Sequence, residues 1–192
     1  MKKKSFIIIL LFCSMLTSCV PLIIGGVGAV VATAIIYDHR SMKTMMRDRE
    51  IVNQAQTAIK EDPQLVGRSH ISVISFNHRV LLIGQVQTPE LRARTYQLVY
   101  KLPYVKKVYN QLTISGSTTD LARTDDTWIT TKVKTAMLMQ PGLRSLQLKI
   151  ITENGVVYLM GIVSHQQANL AADVARRVHG VVKVVKVFEY QA

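Results

Sequence analysis

The feature that most constrains this chain is an internal repeat. One copy runs from about residue 48 to 115 and a second from about 126 to 192. Each opens with apolar residues at helical spacing: Ile51, Ala55, Ala58 and Ile59 in the first, Ile129, Val133, Ala136 and Met137 in the second. Both sets follow i, i+4, i+7, i+8, which is one face of a helix. Both helices run into a proline, at Asp62-Pro63 and Gln140-Pro141, where a helix stops.

Two strand patterns follow in each copy. ISVISF (71–76) and VLLIGQV (80–86) flank Asn77-His78-Arg79, and LQLKIIT (146–152) and VVYLMGIV (156–163) flank Glu153-Asn154-Gly155. Asn-Gly is the strongest short hairpin signal. Gly84 and Gly161 occupy equivalent late positions in the second strand, which points to a bulge or a close backbone approach. A second helix starts at Thr88-Pro89 in one copy, with threonine as cap and proline at the first helical position. In the other it starts with the capping box Ser164-His165-Gln166-Gln167. A β-branched strand closes each copy, from Val105 and from Val181. Each copy therefore reads α-β-β-α-β, an α+β unit in which two helices cover one small sheet. So small a unit is marginal alone, and contact between the copies is expected. The small polar stretch GSTTDLARTD, 116–125, reads as the linker.

Upstream of the repeats, Lys2, Lys3 and Lys4 precede the apolar run SFIIILLFCSML, which ends in Leu16-Thr17-Ser18-Cys19. This is a secretory signal pattern over 1–18. Its end resembles a bacterial lipobox, which implies cleavage before Cys19 and acylation of that residue. An uncleaved anchor or an ordinary secretory peptide are the alternatives. Cys13 leaves with the signal, so Cys19 would carry lipid and no thiol would remain for a disulfide, a metal or catalysis. Multiple acyl chains hold a protein stably at a membrane. Val20, rather than aspartate, follows Cys19, and by resemblance to lipoprotein sorting this favours the outer membrane. The segment 19–47 reads as a lipidated apolar tether. Its run LIIGGVGAVVATAII (22–36) is shorter than the ~20 residues a membrane helix needs, and its glycines weaken a helix; a packed strand-like segment or a true span are the other readings.

The net charge is +12, and loss of three signal lysines and no acids leaves +9. Such a balance calls for an anionic partner. Secretion excludes nucleic acid, leaving an anionic phospholipid membrane or acidic proteins. No catalytic constellation is present in the sequence. The five histidines lack metal-site spacing, and no nucleophile elbow, P-loop or dinucleotide fingerprint occurs. Asp125 and Asp126 fit a helix N-terminus. Neither an enzyme nor a cofactor is expected, beyond the acyl groups on Cys19.

The two first helices control for each other. They share a core spacing, but the outward face of the first carries Asn53, Gln54, Gln56, Thr57 and Lys60. In the second, Trp128, Lys132, Lys134, Thr135, Leu138 and Met139 fall outside the core stripe. An aromatic and apolar residues beside lysines is the composition of an interfacial membrane helix, and tryptophan prefers the headgroup level. Arg176, Arg177, Lys183 and Lys186 are candidates to widen the cationic surface. Packing of Trp128 on the first copy, the tether or a second subunit, or docking of a protein partner, are the competing readings.

The segments NGVVYLMGIV (154–163) and RVHGVVKVV (177–185) resemble the signature of the BON domain, and NHRVLLIGQV (77–86) with LPYVKKV (102–108) is a looser version. His78 and Tyr104 stand where that family commonly has glycine, which leaves the turn geometry of the first copy open. With lipobox, tether, DHRS (38–41) and DDTWITTKVKTAM (125–137), nearly the whole chain resembles the dual-BON-domain outer-membrane lipoproteins. That resemblance implies a non-enzymatic protein of envelope integrity that binds anionic phospholipid through its second BON domain. A module docking on outer-membrane assembly proteins is the alternative.

Overall fold

The computed structural model describes residues 40–115 and 120–191. The signal region, Cys19 and the tether up to residue 39 lie outside the described residues. The order is α1 (Met42–Glu61), β1 (Ser69–Phe76), β2 (Arg79–Val86), α2 (Pro89–Tyr100), β3 (Lys107–Asn110), β4 (Thr113–Ile114), α3 (Asp120–Met139), β5 (Lys149–Glu153), β6 (Val156–Val163), α4 (His165–Arg176) and β7 (Lys183–Tyr190). A 3-10 turn, Ser145–Gln147, precedes β5.

Each copy builds its own mixed sheet. β1 pairs antiparallel with β2, and β3 and β4 both pair parallel with β2. In the second copy β5 pairs antiparallel with β6 and β6 pairs parallel with β7. The closing strand is continuous in the second copy. In the first it breaks at Gln111-Leu112, where Leu112 is buried in the core.

Two element bounds differ from the sequence reading. α1 begins at Met42, inside the segment assigned to the tether, because Ser41 caps it by accepting from the Thr44 amide at 3.1 Å. α3 begins at Asp120, so residues 120–125, read as linker, are helical. Asp125 and Asp126 are accordingly not at a helix N-terminus. The expected core faces form with one shared departure: Ala58 and Ala136 are only half-buried, while Ile51, Ala55, Ile59, Ile129, Val133 and Met137 are buried.

Both hairpin turns have two consecutive residues at positive φ, Asn77 (50°) and His78 (65°), and Asn154 (50°) and Gly155 (73°). This is the turn whose twist matches a hairpin. His78 thus adopts the conformation glycine holds in the other copy. One aspartate from the first helix ties down each turn. Asp48 accepts from the amides of Asn77 and His78, both at 2.8 Å, and from Ser75 Oγ at 2.7 Å. Asp126 accepts from the amides of Asn154 and Gly155, both at 2.7 Å.

The strands alternate between two buried faces. In β2, Val80, Leu82 and Val86 pack under α1 and α2, while Leu81 and Ile83 point the other way. In β6, Val157, Leu159 and Val163 pack under α3 and α4, while Tyr158 and Met160 point away. Those outward sets meet: Phe76, Leu81 and Ile83 pack with Tyr158, Met160 and Val187 in a third cluster shared by the copies. The two sheets therefore stack face to face, with the helices of each copy on the outside. The expected contact between the copies runs through the second face of each sheet.

Candidate functional site

The aspartates Asp48 and Asp126 do the same work 78 residues apart, which fixes the register between the first helices. Trp128 then corresponds to Glu50, Lys132 to Gln54, Thr135 to Thr57, Leu138 to Lys60 and Met139 to Glu61. In the first copy Gln54 Nε2 donates to Glu50 Oε1 at 3.0 Å on a polar surface. In the second, Trp128 is 63% exposed, Leu138 61% and Met139 77%.

The helix repeat places Trp128, Lys132, Thr135 and Met139 in one outward stripe, i, i+4, i+7, i+11, about 16 Å long. Leu138 lies beside its far end. Lys134 is exposed farther around the helix and is not part of the stripe. Lys132 is half-buried: its Nζ donates to the carbonyl of His179 at 2.7 Å and lies 5.9 Å from the centre of the Trp128 ring. Trp128 is thus neither core nor inter-copy packing among the described residues. It stands on the outer helical layer, away from the face where the sheets meet.

A second exposed apolar residue joins it. Val182, the residue before β7, is 79% exposed and borders the same groove as Trp128. The groove, about 520 Å³, is formed by α3 between Asp125 and Lys132, the β5–β6 turn and the α4–β7 turn, with Ile129, Lys132, Gly155 and Gly180 in its walls. Sequence reading missed Val182 and the groove because three segments far apart in the chain make it. The one signal was Gly180, which has φ +95° and whose counterpart is Tyr104.

Two of the other basic candidates are engaged locally. Arg176 pairs with Asp173 at 2.9 Å, and Lys186 donates to Asn169 Oδ1 at 2.8 Å. Lys183 lines a different cleft, with Arg92, between the two copies.

Two stacked α+β repeats, each with an aspartate-tied hairpin and a pair of outer helices, define a tandem-domain protein built from one repeated scaffold. The BON domain family matches residues 47–116 and again 125–192, and the chain belongs to it, as an outer-membrane lipoprotein with two BON domains. It is 38% identical over 175 residues to outer membrane lipoprotein DolP of Haemophilus influenzae, covering 91% of this chain and 90% of that one. It is 36% identical over 154 residues to a 21 kDa hemolysin of Actinobacillus pleuropneumoniae, covering 80% and 79%. Among the described residues no helix is long and apolar enough to cross a membrane.

Proposed function

We propose that this lipoprotein, anchored through acylated Cys19, binds anionic phospholipid with the outer face of α3 and so supports outer-membrane integrity, without catalysing a reaction. The observation that carries this reading is the exchange of Glu50, Lys60 and Glu61 in the first copy for Trp128, Leu138 and Met139 on the same scaffold. An outward tryptophan and methionine gain nothing from the protein's own core. At a headgroup layer they find the mixed environment they suit. Lys132, within the stripe, adds about 1 kcal/mol near an anionic surface. That contribution is small for a free protein. A protein already held at the membrane has a high effective local concentration, and a weak contact then suffices.

The test is binding to vesicles of phosphatidylcholine with and without phosphatidylglycerol or cardiolipin, comparing wild type with Trp128→Glu. Selective binding by wild type and its loss in the variant are expected. Equal binding by both proteins sinks the site. Selective capture of an envelope assembly protein with no lipid preference supports docking instead.

A further inference from the structure

The groove between Trp128 and Val182 has a counterpart in the first copy, and the two differ in one way that matters. At the place of Gly180 the first copy has Tyr104, also left-handed, with φ +68°. The Tyr104 ring lies 4.7 Å from the guanidinium of Arg47, the counterpart of the groove residue Asp125, and 6.5 Å from the ring of His78, the counterpart of Gly155. The protein's own aromatic ring thus occupies in the first copy what glycine leaves open in the second.

The chemistry of the open groove selects its guest. Two of its polar side chains are already engaged, Lys132 Nζ on the His179 carbonyl and the Asp126 carboxylate on two turn amides, while Asp125 adds a second carboxylate to the lining. A phosphate inside would face the carboxylates of Asp125 and Asp126 with one committed ammonium in return, which is unfavourable. An apolar guest meets Ile129, Val182 and the indole instead. The volume is in the range of small-molecule sites, and the two rim residues are among the most exposed large apolar side chains described. We infer that this groove receives the acyl portion of one phospholipid molecule, its phosphate remaining at the mouth, and that Gly180 keeps it open. This rests on the membrane reading above and sharpens it: the second copy engages a single lipid as well as the surface.

The test uses the full mature lipoprotein reconstituted in phosphatidylethanolamine vesicles containing phosphatidylglycerol. The probe is phosphatidylglycerol with a photoreactive group on its acyl chain, and cross-linked residues are mapped by mass spectrometry. Cross-links to Ile129 or Val182 are expected. Gly180→Tyr, which installs the side chain the first copy tolerates in this conformation, should lower them about tenfold. In that variant a Cβ meets Ile129 at 3.1 Å, so Val182→Ser, an exposed wall residue, is measured beside it and decides if folding is lost. Undiminished acyl labelling of the folded variants overturns the inference. Trp128 emission separates the two levels. No blue shift with anionic vesicles in wild type refutes the membrane reading itself, whereas a normal shift with Gly180-independent labelling refutes only the groove.

Discussion

Arg79, on the first copy, donates through Nε to the Glu189 carboxylate of the second at 3.0 Å. Asn77 Nδ2 adds a bond to the same carboxylate oxygen at 2.6 Å, and Gln85 Nε2 reaches Glu153 at 2.8 Å. These polar links border the apolar layer where the sheets meet, and they fix how one sheet sits on the other in a way that apolar contact alone does not.

The Glu189 pair gives stability a pH signature. The Arg79 hydrogen bond, helped by that of Asn77, holds the Glu189 carboxyl below its ordinary value against the opposing effect of burial. A depressed folded value means the contribution is complete above the unfolded value of about 4.3 and is lost as pH falls through the lower folded value. Glu189→Ala should cost about 1 kcal/mol in urea unfolding at pH 7. The gap between wild type and variant should close as the solution is acidified below about pH 4.

Asp48 and Asp126 are the structural centres of their copies. Asp126→Ala strands two turn amides and should cost about 2–3 kcal/mol. Asp48→Ala should cost more, about 3–5 kcal/mol, because it also releases Arg40, whose Nη1 lies 2.8 Å from the carboxylate. Chemical denaturation of the two variants should preserve this order.

Neighbouring residues on α3 should respond in opposite ways. Ile129 is buried, and Ile129→Ala should cost about 2–5 kcal/mol. Trp128→Ala should change stability by no more than about 0.5 kcal/mol while weakening binding to anionic vesicles. A large loss of stability in Trp128→Ala, measured by thermal melting, would show that the indole packs on protein.

Gly84 and Gly161 look equivalent in sequence but differ in space. A Cβ on Gly84, at φ +114°, would lie 2.1 Å from the His70 carbonyl oxygen, while one on Gly161 would meet the Gln147 carbonyl oxygen at 3.0 Å. Gly84→Ala should therefore cost more than about 3 kcal/mol and Gly161→Ala about 1 kcal/mol. Parallel melting curves check the difference.

The repeat, the core faces of the first helices and the Asn154-Gly155 hairpin were legible because each is a local pattern with one physical cause. His78 and Tyr104 were legible only as departures; that both still adopt positive φ follows from Asp48 holding the turn and from packing around the Tyr104 ring, which no local pattern encodes. The start of α3 was hidden because Asp120 to Asp125, apart from Leu121, are small or polar and read as a connector. Of the candidate site, the stripe from Trp128 to Met139 could be read from helical periodicity. Val182 and the groove could not, since Asp126, Gly155 and Gly180 meet only through the fold.

The face the copies share is apolar on both sides. β6, VVYLMGIV, is apolar at both parities, and a strand covered on one side only would alternate. Tyr158, Met160 and Val187 are buried, and their cover comes from Phe76, Leu81 and Ile83 of the other copy. Burial, with the nearby Glu153 charge adding to it, pushes the Tyr158 phenol above its ordinary value, so the contact is favourable below about pH 10 and weakens as the phenol is forced to ionise. Met160→Glu would place an unpaired carboxylate between the sheets and should cost more than about 3 kcal/mol. The second copy expressed alone from Asp120 would expose this layer to water, and an exposed apolar face of that kind drives association. It should elute as an oligomer in size-exclusion chromatography, and substituting Tyr158 and Met160 together by polar residues should return it to a monomer. A stable monomer from the unsubstituted second copy would mean that the shared layer is dispensable.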